Sequence, residues 1–162
     1  MINLPTPTQN MQLRNAELGF RVQGAAKTVP QNATQTVFTV SGGRIMVGLL
    51  YGLVTTIIGG TTPAAKYIAT PTVGSLNDMC TALTITTDEV GMMMVLPVAV
   101  GSALIGAAST GKSGSASGPG LGGQIVAPGT IGFNVSAADA TGAVQHTLFY
   151  IPLDPASVVV AN

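Results

Sequence analysis

The sequence predicts an all-β chain: an antiparallel sandwich or barrel, jelly-roll-like, with an extended N-terminal arm. Three observations carry that expectation. The charged helix formers are scarce, with six Lys/Arg and six Asp/Glu in 162 residues. Val, Ile, Thr and Gly dominate instead, and β-branched side chains fit a pleated surface better than a helix. Short apolar runs also recur between turn residues, the spacing of sandwiches and barrels.

Residues 1–34 read as the arm, because Pro5, Pro7, Pro30 and a run of Gln and Asn give no sustained period. Residues 35–162 read as a single β domain with a Gly/Ser-rich loop at 106–123. Thr36–Val40 is a β run ending at the Ser41-Gly42-Gly43 turn, where glycine permits positive φ. Arg44–Leu50 follows as a strand, then Tyr51–Ile58 as a further one, bent at Gly52. Gly59–Pro63 turns the chain into Ala64–Thr70, which Pro71 closes. Beyond Asp78–Thr86, Val90–Leu96 and Val98–Ile105 read as two runs separated by Pro97. Ile131, Phe133 and Val135 alternate with Gly132 and Asn134, as in a half-buried strand. In Val144–Ile151, residues Val144, His146, Leu148 and Tyr150 face one way and Gln145, Thr147, Phe149 and Ile151 the other. Pro152–Pro155 turns into a last strand, Ser157–Ala161.

Charge bounds the function. A domain of this size ordinarily carries about 40 charged residues, whereas this chain has 12 and a formal net charge of zero. That balance speaks against a basic nucleic-acid binder and against an acidic tail. Thr (20) and Ser (9) supply the polar surface, beside 21 Gly and 20 Ala. Such a chain has little repulsion to keep copies apart, so it reads as obligately assembled or membrane-embedded. The uncharged stretches 45–60 and 90–110 are the membrane candidates. Pro97, the frequent glycines and the absence of flanking Lys/Arg clusters favour assembly. A single cysteine, Cys80, forbids a disulfide within one chain, and the N-terminus lacks the basic start and apolar run of a secretory signal. The expectation is a protein made in a reducing cytoplasm.

No motif carries convincing chemistry. Gly106-Ala107-Ala108-Ser109-Thr110-Gly111-Lys112-Ser113 satisfies the P-loop pattern. A working P-loop needs a helix starting at its Lys-Ser, and the following Gly114–Gly120 segment, with Pro119, will not start one. His146, the one histidine, lies mid-strand and reads as a hydrogen-bonded sheet residue. No spacing links it to Cys80, and the carboxylates show no ligand pattern. Asp88-Glu89 reads as a turn, and Met92-Met93-Met94 as core filling. Seven aromatics and no Trp give no stacking platform. The expectation is no catalytic residue, cofactor or metal, and a protein whose work is to bind protein.

Two segments carry a resemblance. Thr36-Val37-Phe38-Thr39-Val40-Ser41-Gly42-Gly43-Arg44 with Leu53-Val54-Thr55-Thr56-Ile57-Ile58, and the ending Thr141–Leu153, resemble small virion proteins of tailed bacteriophages. The resemblance implies a capsid decoration (cement) protein. Such a protein is a β-rich homotrimer over junctions of the major capsid protein, on the capsid outer surface, made in the bacterial host's cytoplasm. It implies no nucleic-acid, membrane or small-molecule partner. The low charge departs from that family. An extended arm suits the role, since it can add a strand to a neighbour's sheet or lie in a groove. The interaction residues expected in it are Leu13, Arg14, Leu18, Phe20, Arg21 and Lys27. The rival expectations are a tail or fibre component contacting a host receptor and a small membrane protein.

Overall fold

A computed structural model describes residues 19–106 and 123–162, and all regular structure there is β. In chain order the strands are β1 (Phe20–Thr28), β2 (Ala33–Ser41), β3 (Ile45–Gly59), β4 (Ala64–Pro71), β5 (Asn77–Asp78) and β6 (Leu83–Thr84). They continue as β7 (Met93–Val95), β8 (Ile105–Gly106), β9 (Gln124–Val126), β10 (Gly129–Val135), β11 (Thr141–Pro152) and β12 (Val158–Ala161). Two antiparallel sheets result. Sheet A runs β1-β11-β3-β7-β8 with β9 also on β3, and sheet B runs β12-β2-β10-β4-β5 with β6 also on β4. β1 to β4 alternate between the sheets, as do β10 to β12, so the turns joining them pass from one sheet to the other. The expected all-β sandwich is what the chain forms.

Alternation builds that core. Phe38, Ile131, Phe133 and Tyr67 from sheet B and Ile45, Leu50, Val54 and Leu148 from sheet A are buried between the sheets. Arg44 pins one end. Its backbone N–H donates to Asp154 Oδ2 (2.7 Å), and its guanidinium to both carboxylate oxygens (3.1 and 3.0 Å). These bonds hold Asp154 at about 2. The pair ties the β2–β3 turn to the β11–β12 turn.

The two sheets approach each other at both flanks. β1 and β12 lie side by side: a side chain at Gly24 would touch Ala161 at 3.6 Å, and Val159 N–H donates to the Tyr150 hydroxyl (3.4 Å). On the other flank Thr81 N–H donates to Ser102 O (3.0 Å) and Leu104 N–H to Thr81 O (3.1 Å).

Three expectations need correction. The arm does not extend to residue 34: Phe20–Thr28 is an edge strand of sheet A, paired with Tyr150–Ala143 of β11. An edge strand needs only one covered side, so its polar and basic residues hid its alternation. The rest of the expected arm, residues 1–18, lies outside the described residues. Second, Arg44–Leu50 and Tyr51–Ile58 are one strand of 15 residues. Its pairing with β11 runs unbroken through Gly52, opposite His146. A Cβ there would meet Val144 Cγ1 at 2.8 Å and the Tyr67 hydroxyl at 3.0 Å, so glycine serves close packing. Third, Val90–Leu96 and Val98–Ile105 shrink to β7 and β8. Pro97 and Gly101 (φ +83°) turn the chain between them and leave Val98 and Val100 exposed.

Asp88 is the buried charge of this fold, 3 % exposed, with Oδ2 unpartnered. Its backbone carbonyl accepts from Ile58 N–H (3.0 Å), which holds the turn against β3. Loss of hydration raises its carboxyl to about 6 from 3.8. A raised folded-state value means that the native state holds the proton more tightly. This group therefore costs nothing below about pH 4, and its penalty grows as pH rises through the window up to 6. Asp88→Asn should gain stability relative to the parent between pH 4 and pH 7, measured as urea midpoints. A difference independent of pH would contradict this account.

Candidate interaction face

Directly opposed residues on neighbouring strands point to the same side of a sheet, so the register sorts each strand into inward and outward rows. In sheet A the inward row includes Val22, Leu148, Leu50, Val144, Val54 and Met94. The outward row follows from the pairs Arg21–Phe149–Leu49, Gln23–Thr147–Tyr51–Val95 and Gln145–Leu53–Met93, with Ile151–Met46–Ile125 at one end. Apart from Arg21, Gln23, Thr147 and Gln145, every member of that row is apolar or aromatic. Leu49, Tyr51, Leu53, Met93, Phe149 and Ile151 are half-buried, and Ile125 is 68 % exposed.

Sheet B is different. Its outward pairs are Thr34–Asn134–Lys66, Thr36–Gly132–Ile68 and Thr39–Thr130–Thr70. Most are polar groups that satisfy one another. Asn134 Nδ2–H donates to Thr34 Oγ1 (2.9 Å), and Lys66 Nζ–H donates to Asp78 Oδ2 (2.7 Å). A sandwich ordinarily presents such a solvated surface on both sides. Here sheet B presents that solvated surface, and sheet A presents a largely apolar one. Within sheet A's outward row Thr147 is fully buried among its large neighbours, and its hydroxyl has no partner.

A second apolar feature lies at the corner where β1 begins. Phe20 is an inward-row residue opposite Tyr150, with ring centroids 5.9 Å apart, yet it is 52 % exposed. It lines a shallow groove of about 520 Å³ with Tyr150, Leu153, Pro155 and Val158. Gly19 sets the exit from this corner: at φ +82°, a Cβ would overlap the Tyr150 carbonyl.

The expected interaction residues separate accordingly. Leu13, Arg14 and Leu18 lie outside the described residues. Phe20 rims the corner groove. Arg21 sits on the outward rim of sheet A and donates to Gln23 Oε1. Lys27 is a tie between sheets, with Nζ–H donating to Thr36 O (3.2 Å). The outward row Leu49, Tyr51, Leu53, Phe149 and Ile151 was missed by sequence reasoning. Its signal was the lack of any polar side chain other than Tyr51 in residues 45–54, where a strand with one wet face should alternate.

The titratable cluster inside the sandwich is structural in its geometry. Tyr67 and His146 are both buried, with the hydroxyl 3.0 Å from Nδ1, and Phe133 packs on the imidazole at 4.8 Å between centroids. Burial drives His146 down to about 3, aided by the Lys27 charge, so the ring is neutral at ordinary pH. Cys80 accepts from Tyr67 N–H (3.3 Å), and burial pushes its thiol up, away from the reactive thiolate. Met92 and Met94 fill the core beside it, as expected. Among the described residues, no group of three or more His, Cys, Asp or Glu could hold a metal ion, and no helix is long and apolar enough to cross a membrane. Gly106 ends β8, and the remainder of the P-loop-like match lies outside the described residues. No family model, curated protein or solved structure matches this chain.

Proposed function

We propose that this chain is a structural virion protein that binds and stabilises a phage capsid as a decoration protein, assembled as a trimer. One observation carries the reading: an outward sheet face made of Leu49, Tyr51, Leu53, Phe149 and Ile151, on a chain with almost no charge. A face of that composition is stable in water only when something covers it. The strand order supports the same reading. The path β1-β11-β3-β7 set against β2-β10-β4-β5 is the interleaving that two nested Greek keys produce, with β12 added at one edge. That order supports the jelly-roll reading, an architecture that capsid proteins use among others. Residues 1–18, leaving the corner groove at Gly19, are the segment proposed to reach the major capsid protein. Copies repeated over a shell gain avidity from modest single contacts.

A cryo-EM reconstruction of the native particle tests the role. The expected result is density for the two sheets on the outer head surface, at junctions of the major capsid protein. Density on the tail or a fibre would assign the protein there instead. Absence from the particle would remove the virion reading altogether. Deletion of residues 1–18 should abolish head binding and leave the far-UV CD spectrum unchanged, because the first strand begins at Phe20.

A further inference from the structure

We infer that the outward face of sheet A is the contact between copies of this chain, and that a second copy, rather than the shell, covers it. The inference takes the assembly role above as its setting and names which surface does the assembling. Three arguments favour a second copy. The first is charge. Arg21, at the rim and already bonded to Gln23, is the one charged residue in the outward row, so a neighbouring copy packed on this face meets no charge repulsion. An acidic or basic partner would find nothing on the face to recognise. Contacts between copies are the most apolar class of interface, resembling a core cut in half.

The second argument is size. Five strands at their usual spacing span about 20 Å, and Met46 to Leu53 about 23 Å. Side-chain relief raises that flat area of about 450 Å² toward the roughly 800 Å² that each partner commonly contributes.

The third argument is the weakness of the other covers. Residues 107–122 contain Leu121 as their one large apolar residue, so they bring little to bury. Residues 1–18 carry Arg14 and Glu17, charges for which the apolar row holds no partner.

Sedimentation velocity and light scattering on the purified full chain test the inference. The parent should run at a multiple of the chain mass. A variant carrying Leu49→Thr, Leu53→Thr and Phe149→Thr copies the Thr-rich outward face of sheet B. It should keep its β spectrum and run as a monomer. A monomeric parent overturns the inference, as does a folded triple variant at the parent's mass. If the triple variant loses its β spectrum, Leu49→Thr alone decides. At least tenfold weaker association supports the interface, and unchanged association overturns it. The two proposals fail separately. An oligomer absent from the particle removes the capsid role and keeps the interface, whereas a monomer seated on heads does the reverse.

Discussion

Acidification from pH 7 toward pH 3 should cost the fold about 4 kcal/mol through His146 alone. The imidazole is buried and neutral in the native state, at about 3, while the unfolded chain titrates near 6.5. Each unit of difference is worth about 1.4 kcal/mol. A lowered native value means that the unfolded state takes up the proton first. The contribution is therefore complete above about pH 6.5 and is lost progressively as pH falls toward 3. His146→Phe keeps the ring against Phe133 and Tyr67 and removes the titration. The variant loses stability at pH 7, because the buried Tyr67 hydroxyl loses its partner. Its loss on acidification should nevertheless be smaller than the parent's by one proton's slope, read from urea midpoints across the range. Parallel slopes in parent and variant would show that His146 does not titrate with unfolding. Asp88 acts in the opposite sense, so the two groups separate only when each is replaced in turn.

Phe133→Ala should be the most damaging single truncation. Phe133 is buried at 1 % exposure, and its ring meets Tyr67 at 5.4 Å and His146 at 4.8 Å between centroids. It stands on β10, the strand that holds β2 and β4 together. Removing a buried aromatic costs about 3–5 kcal/mol, the transfer loss plus the cavity left behind. For a domain of this size that corresponds to a fall in Tm of about 6–20 °C. Calorimetry at neutral pH measures it. A fall of less than about 2 °C would mean that the neighbouring rings close over the gap.

Much of the fold was legible in the order of the residues. The rows of β11 were readable one side chain at a time, since a strand covered on one side announces itself by alternation. The turn at Ser41-Gly42-Gly43 followed from glycine's access to positive φ, and Gly42 adopts it at +74°. His146 was expected to be a hydrogen-bonded sheet residue, and Tyr67 is its partner. β1 was illegible for the reason that makes it an edge strand. With one neighbour and a bulge between Gln23 and Ala26, its side chains obey no simple period.

The apolar face of sheet A was hidden by a different cause. Composition announced a chain with too few charges, and the run from Ile45 to Ile58 announced more apolar side chains than one core row can hold. Local pattern, by itself, determined that this is a Thr-coated β protein with little charge to keep its copies apart and no evident catalytic motif. It could not say which strands stand next to one another. Phe149 comes to lie beside Leu49, and Thr147 beside Tyr51, only because β11 and β3 pair across about 100 residues of chain. A surface is a sum over strands distant in sequence, and its register is set by pairing rather than by propensity. For that reason the tertiary structure alone decided which side of the protein carries the apolar outward row.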